Sequence, residues 1–367
     1  MSKPVRVLVV DDSALMRKLI PQILRTDDSI EVVGTAMDGN FGLKKIEELK
    51  PQVITLDLEM PGMSGLDMLK EIMRRHRIPV IVVSSHSTQG ASVTLKALSL
   101  GAFDFVAKPQ DVSARMPEIA RELISKIKAA AQSRGIKFGP LPEPKNSAPE
   151  KRTSTPLNMP TRVFAIGIST GGPQALQYVL PQLPADFPAT ILIVQHMPEG
   201  FTGMFAKRLD EICAIQVKEA QSGDLLQAGR ALVSTGNRHL KVKRLPLGDV
   251  AVLSDDPRVN GHRPSCDVLF RSVAEEYKDH TVAIIMTGMG DDGAEGLGAV
   301  KNAGGLTIAQ SEDSCVVFGM PKIAIERGYA TRIVALDQLA NTMMAICSQD
   351  RKSLDAGNSG KSAGAGR

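Results

Sequence analysis

Val163 to Pro173 reads VFAIGISTGGP, and the rest of the chain is organised around it. The apolar run Val163, Phe164, Ala165 and Ile166 has the length of a buried strand. Pro173 suits the first turn of a helix, where a missing N–H costs nothing. Ser169 therefore lies where a strand turns sharply into a helix, and Gly167 and Gly171 flank it in the G-x-S-x-G spacing of a nucleophile turn. The glycines fit a tight turn and a close substrate approach to the backbone. The helix N-terminus behind the serine offers free N–H groups and a positive dipole end where an oxyanion could develop. On this stretch alone, a serine at an ordinary α/β turn is the simpler reading. What decides is whether Ser169 has chemical partners elsewhere.

Two later strand ends supply them. The run Ala189–Gln195 ends in His196, within QHMPEGF, and the run Thr281–Thr287 enters GMGDDG with Asp291 and Asp292. In a parallel sheet all carboxyl ends share one edge, so a hydroxyl, an imidazole and a carboxylate gather there. That set activates a serine: histidine takes the hydroxyl proton, and the acid orients the ring and stabilises the imidazolium. The order Ser, His, Asp differs from that of α/β-hydrolases, so that fold is not assigned. His280 precedes its strand and would face the opposite edge, while His239 and His262 lie in less regular surroundings. Spacing does not choose between Asp291 and Asp292, one of which could cap the next helix.

A rival reading uses the same residues. Gly288, Gly290 and Gly293 match G-x-G-x-x-G between a strand and a helix, with Glu312 and Asp313 near the place of a ribose-binding acid. Against it, Asp291 and Asp292 put two negative charges where a pyrophosphate must pack. A non-catalytic output module is the other alternative.

Upstream, residues 1–130 alternate strand and helix as an α/β unit, with strands at Val5–Val10, Ile30–Ala36, Gln52–Leu56, Val80–Val83 and Phe103–Ala107. Continuous Val/Ile runs between helices such as Ala14–Leu24 and Phe41–Leu49 imply a parallel sheet covered on both faces. The strands end in Asp11 and Asp12, in Asp57, in Ser84 and Ser85, and in Lys108 and Pro109, which the sheet would bring together. Three such carboxylates repel one another unless a hard divalent cation such as Mg²⁺ sits among them. With a lysine and a hydroxyl added, the edge can accept a phosphoryl group on a carboxylate. Singly, each acid reads as a helix cap or a solvated loop residue; the convergence is what argues for chemistry.

Residues 131–160 change character. Pro140, Pro142, Pro144, Pro149, Pro156 and Pro160, six of the 22 prolines, fall there among Lys, Glu, Ser and Thr, as in an extended linker. Residues 161–350 form the second α/β pattern, with a hairpin expected over Leu240–Leu253 and a helix through Cys266, Leu269, Phe270 and Val273. Residues 351–367 are Gly/Ser/Ala-rich and expected to be disordered. Their GNSGKS lacks the first glycine of a P-loop. At 367 residues, 43% hydrophobic and 23% charged, the chain has the composition of a soluble globular protein of about two domains. No apolar stretch reaches membrane-spanning length, and Val7–Val10 is cut off by acids, so neither a span nor a signal peptide is expected. Four scattered cysteines suit a reducing cytosol, and a net charge of +4 is too small to argue for nucleic acid.

Two resemblances carry the reading further. VLVVDDSALMR, ITLDLEMPGMSGLDML, VVSS and FDFVAKP resemble the receiver domain of two-component response regulators, a flavodoxin-like five-stranded fold. The resemblance implies Asp57 as phospho-acceptor. Mg²⁺ would be held by Asp12, Asp57 and the Glu59 carbonyl with help from Asp11. Ser84 and Lys108 would contact the phosphoryl group, Phe105 would be the switch aromatic, and the Lys108–Pro109 bond would be cis. GISTGGPQAL, VQHMPEGF, HRPSCDVLF, MTGMGDDGAEG and CVVFGMP resemble the doubly wound α/β catalytic domain of chemotaxis protein-glutamate methylesterases (CheB-type). That resemblance implies Ser169 as nucleophile, His196 as base and Asp292 as orienting acid, with the Met289 N–H as oxyanion donor and Thr170 helping to position the histidine. It further implies a cytoplasmic, monomeric enzyme that demethylates and deamidates the cytoplasmic domains of chemoreceptors, with no cofactor for that reaction. A histidine kinase would supply the phosphoryl group, and the unmodified receiver would cover the esterase cleft.

Overall fold

The computed structural model describes residues 3–85, 87–108, 116–133, 160 and 162–359. The chain divides into two compact units, residues 1–137 and 138–367. The linker, the Lys108–Pro109 bond and the last eight residues fall wholly or largely outside the described residues.

In the first unit the elements are β1 (Val5–Val10), α1 (Ala14–Leu24), β2 (Ile30–Ala36), α2 (Gly39–Leu49), β3 (Val53–Leu56), α3 (Gly65–Arg75), β4 (Val80–Ser84), α4 (Thr88–Ser99), β5 (Asp104–Ala107) and α5 (Met116–Gln132). The sheet is parallel, in the order β2-β1-β3-β4-β5. Val7, Val9, Val53, Ile81 and Val106 from its strands pack with Ile20, Leu24, Leu123 and Ile127 from α1 and α5. The acids at the first strand end do not cap α1. Ser13 does, accepting from the Met16 N–H, while Asp11 Oδ1 accepts the Ser13 N–H. That leaves Asp11 facing the sheet edge.

The second unit contains β6 (Val163–Ile168), α6 (Gly172–Val179), β7 (Thr190–Gln195), α7 (Phe201–Ile212), β8 (Gln216–Glu219), β9 (Arg230–Val233), β10 (His239–Lys243), β11 (Val250–Ser254), α8 (Cys266–Tyr277), β12 (Thr281–Ile285), α9 (Ala294–Asn302), β13 (Leu306–Gln310), α10 (Met320–Glu326), β14 (Arg332–Val334) and α11 (Leu336–Ser359). Seven strands form a parallel sheet in the order β14-β13-β12-β6-β7-β9-β8, and β10 and β11 pair as the expected hairpin. The first strand, β6, is central, with β12 on one side and β7 on the other. α8 covers this region: Cys266, Leu269, Phe270 and Val273 pack with Val163, Ala165, Leu192, Val194, Ala283 and Ile285. The final helix runs past Lys352, so its backbone overlaps the stretch read as a disordered tail.

Candidate functional site

β6 extends through Gly167 and Ile168, so Ser169 follows the strand directly. Gly171, with φ of 77°, makes the left-handed turn into α6 that a side-chain-bearing residue would resist. Gly167 has a different purpose from the turn flexibility its position suggested. A Cβ there would lie 2.9 Å from Cys266 Sγ and from Phe270 Cζ, so this glycine lets α8 press onto β6. Ser169 is absent from the positive-φ residues, and the strained elbow of α/β-hydrolases is not present.

Register sets the rest. Ile168 pairs with Gln195, and the His196 N–H donates to the Ile168 carbonyl at 3.1 Å, so Ser169 and His196 follow paired residues on adjacent strands. Neighbouring strands run about 4.8 Å apart. On the other flank the Ser169 N–H donates to the Thr287 carbonyl at 3.0 Å. Gly288 permits that approach, since a Cβ there would lie 2.8 Å from Ser169 Cβ and 2.3 Å from Met320 Sδ.

His196 Nε2 lies 2.7 Å from Asp292 Oδ2. A carboxylate only accepts, so Nε2 carries the hydrogen and Nδ1 the lone pair. Nδ1 is buried and has no hydrogen-bond partner. Asp292 is buried at 1% exposure and held at the N-terminus of α8. Its Oδ1 accepts from Ser265 Oγ at 2.6 Å and from the Asp267 N–H at 3.3 Å, and its Oδ2 also accepts from the Cys266 N–H at 2.7 Å. Burial works to raise the pKa of Asp292, but the bonds from His196, Ser265 and Cys266 outweigh it and hold the carboxyl far below its ordinary range. Asp291 points elsewhere: it is exposed, 3.8 Å from Arg327 Nη2, and its carbonyl receives the Ala294 N–H. Neither acid caps α9, whose N-cap is Gly293.

The other sequence-selected residues fall as follows. Thr170 is buried beside Ser169, and its carbonyl accepts from Thr287 Oγ1 at 2.9 Å; among the described residues its hydroxyl makes no hydrogen bond to His196. Met289 is half-buried on the loop after β12, and among the described residues its N–H donates to no acceptor. His239 is a core histidine: it is fully buried, Nδ1 accepts the Ser265 N–H at 3.3 Å, and Nε2 lies 3.1 Å from the Pro257 carbonyl. His262 stacks on His196, with ring centroids 3.9 Å apart and planes 4° from parallel.

Three contributors were not selected from sequence. Ser265 is the N-cap residue of α8, yet its hydroxyl bonds Asp292 rather than its own helix. Cys266 Sγ lies 3.6 Å from His196 Nε2, and burial drives its thiol pKa well up. Gln195 Nε2 donates to the carbonyls of both Ser169 (3.0 Å) and His196 (3.1 Å), bridging the two strand ends. A polar residue closing an otherwise apolar strand was the available signal for Gln195.

At the carboxyl edge of the first unit's sheet, Asp11 and Asp57 are buried and Asp12 is exposed; carboxylate oxygens of the three lie within 4.8 Å of one another. Lys108 Nζ is 2.6 Å from Asp57 Oδ2 and 3.2 Å from Asp11 Oδ2. Burial, then the Asp57 charge, raises the Asp11 pKa against the opposing pull of Lys108. Burial works to lower the pKa of Lys108, but its bond with Asp57 and the charges of Asp57 and Asp11 outweigh it and hold the ammonium raised. Asp11 Oδ2 is buried without a hydrogen bond despite the nearby ammonium. A buried carboxylate oxygen that has an ion pair with Lys108 but no well-formed hydrogen bond, in a cluster of three carboxylates, fits a hard divalent cation. Asp57 Oδ1 accepts the Glu59 N–H at 3.2 Å. Ser84 Oγ accepts from Thr94 Oγ1 at 2.6 Å, and Phe105 is buried with Lys126 Nζ 5.3 Å from its ring centre.

Residues 164–343 match the CheB methylesterase family and residues 7–119 the response regulator receiver domain. A protein-glutamate methylesterase/protein-glutamine glutaminase of Koribacter versatilis is 62% identical over 95% of this chain and 98% of its own length. Its namesakes in Symbiobacterium thermophilum and Salmonella typhi are 46% and 44% identical, over 93% and 94% of this chain and 96% and 97% of theirs. The crystal structure of the Thermotoga maritima CheB methylesterase catalytic domain is 40% identical, with a TM-score of 0.50 over 50% of this chain and 98% of that one.

Proposed function

Because this chain belongs to the CheB-type protein-glutamate methylesterase family, with a receiver domain ahead of the esterase domain, we propose that Ser169, His196 and Asp292 carry the esterase reaction. The enzyme hydrolyses glutamate methyl esters and deamidates glutamines on the cytoplasmic domains of chemoreceptors. One observation carries the assignment. His196 engages Asp292 through Nε2, which leaves its unpartnered Nδ1 as the base, on the strand end beside the one that Ser169 follows.

The steps follow from that orientation. Ser169 Oγ attacks the ester carbonyl carbon while Nδ1 takes its proton. Asp292 holds the ring in the required tautomer and balances the imidazolium. The Met289 N–H donates to the developing oxyanion, and Thr170 helps order the turn. Nδ1–H then protonates the departing methoxide, and methanol leaves an acyl-serine. Water attacks that ester with His196 again as base, freeing the glutamate and Ser169. A glutamine side chain takes the same route, with ammonia leaving.

In the receiver, Asp57 accepts the phosphoryl group from a histidine kinase, with Lys108 and Ser84 contacting its oxygens and Phe105 reporting the change. Asp12, Asp57 and the Glu59 carbonyl would hold Mg²⁺, positioned by Asp11. When bound, the ion screens charge on the transferring oxygens. Phosphorylation then switches the esterase on. No described helix is long and apolar enough to cross a membrane, which fits action from the cytoplasm on receptor domains. A fluorophosphonate probe should label Ser169, and labelling should vanish in His196→Ala; labelling that persists undiminished would remove the histidine from the mechanism.

A further inference from the structure

His196 Nε2, Cys266 Sγ and an Asp292 oxygen lie within 4.8 Å of one another, a nitrogen, a sulfur and an oxygen converging on one point. The catalytic reading uses the histidine and the acid, and the thiol, packed against β6, takes no part in it. Cys266 holds Asp292 through its backbone N–H at 2.7 Å, and its thiol bonds the same carboxylate. Its sulfur also lies 3.6 Å from Nε2 and 3.9 Å from the Val194 carbonyl.

We propose that these three side chains form an inhibitory site for a thiophilic divalent cation of the zinc class, with the fourth position open to water. Ligand types and count match zinc, which takes Cys, His and carboxylate in tetrahedral sets with one open position. Spacing matches as well. Bonds of about 2.1 Å to nitrogen and oxygen and about 2.3 Å to sulfur set tetrahedral neighbours roughly 3.3–3.6 Å apart. The Nε2–Sγ separation of 3.6 Å already fits, and the Nε2–Oδ2 separation of 2.7 Å must open by a fraction of an ångström. Asp292 is fixed by three other donors, so the adjustment falls on the ring of His196, which is 9% exposed and is the side from which a cation enters.

Inhibition follows from the tautomer, and here the inference rests on the serine-esterase reading. The metal takes the Nε2 lone pair in place of its hydrogen, and the neutral ring then carries its hydrogen on Nδ1. Cys266 loses its thiol proton to solvent and binds as thiolate. Nδ1–H is a donor and no longer accepts the Ser169 proton, so the base is lost while the fold is kept.

The test uses the whole chain freed of metal by chelation, and Co²⁺ as a spectroscopic stand-in for zinc. The expected result is a thiolate-to-cobalt charge-transfer band with intense tetrahedral d–d absorption. It should appear in the native protein and in Ser169→Ala, and be absent in Cys266→Ala and Cys266→Ser. Cobalt on the receiver carboxylates gives no thiolate band. In parallel, Zn²⁺ should inhibit methanol release, and Cys266→Ser should weaken that inhibition relative to its own metal-free rate by more than the about 10-fold that loss of a group merely supporting a ligand brings. No charge-transfer band in the native protein overturns the site, whatever the variants do. A band without inhibition keeps the metal site and overturns its effect on Nδ1. Equal inhibition in native and Cys266→Ser proteins also overturns it. The band in Ser169→Ala does not depend on catalysis, so loss of the esterase reading would leave the metal result standing.

Discussion

His196 and Asp292, 96 residues apart, meet at 2.7 Å through Nε2, which leaves the other ring nitrogen, Nδ1, buried and without a hydrogen-bond partner. Parallel register alone brings the histidine beside the serine; the N-terminus of α8 brings the acid to the histidine. The carboxylate is thus both the anchor of the imidazole and the ligand of a helix end, where N–H groups and the dipole favour negative charge.

Asp292→Asn tests that anchoring. An asparagine amide donates to Nε2, which forces the hydrogen onto Nδ1 and removes the base. We expect kcat to fall by about 10³–10⁴-fold with KM little changed. Steady-state methanol release checks it. A loss confined to KM would contradict the role.

The same carboxyl sets an acid limit on stability. Its folded pKa lies well below the 3.8 of an ordinary aspartate, so it stabilises the native state above that pH and loses this contribution as pH falls through the folded value. Asp292→Asn should therefore destabilise the protein at pH 7 and much less in strong acid. Urea unfolding at a series of pH values measures the convergence.

Asp11 should behave in the opposite sense. Burial and Asp57 raise its folded pKa, so its stabilising contribution exists below 3.8 and is lost as pH rises through the folded value. At neutral pH the ionised group is a cost. Asp11→Asn should raise the unfolding temperature of the Mg²⁺-free protein at pH 7, and the gain should shrink toward pH 4. The variant should also show weaker protection by added Mg²⁺.

Gln195→Met removes the two donors that join the Ser169 and His196 carbonyls and leaves both without that partner. Losing a buried hydrogen-bond partner costs about 1–3 kcal/mol. Stability should fall by that order, and kcat should fall more than KM rises. Gln195→Glu, which keeps the shape and loses the donors, should not restore activity.

Gly167→Ala would set a methyl against Cys266 and Phe270 at 2.9 Å. Overpacking of this kind costs about 1–3 kcal/mol, read as a lower denaturation midpoint with an unchanged slope.

Much of this was legible in the chain because strand ends in a parallel sheet share an edge. Apolar runs located β6, β7 and β12, and the residues after them were Ser169, His196 and the acidic pair. The choice of Asp292 over Asp291 was not legible from spacing, since it depends on where α8 begins in space. Cys266 and Ser265 escaped for the same reason: their relation to the site is set by packing across more than twenty residues of chain. Gly167 was legible as a necessary glycine, but the cause lay in α8 and not in the turn. The stacking of His262 on His196 left no mark in any local pattern.

The central claim is tested most directly by methanol release from methylated receptor membranes, with and without a phosphoryl donor, for native protein, Ser169→Ala and Asp57→Asn. The account predicts release that rises on phosphorylation of the native protein, none from Ser169→Ala although its Asp57 is still phosphorylated, and unstimulated release from Asp57→Asn. Methanol release by Ser169→Ala at the native rate would contradict it.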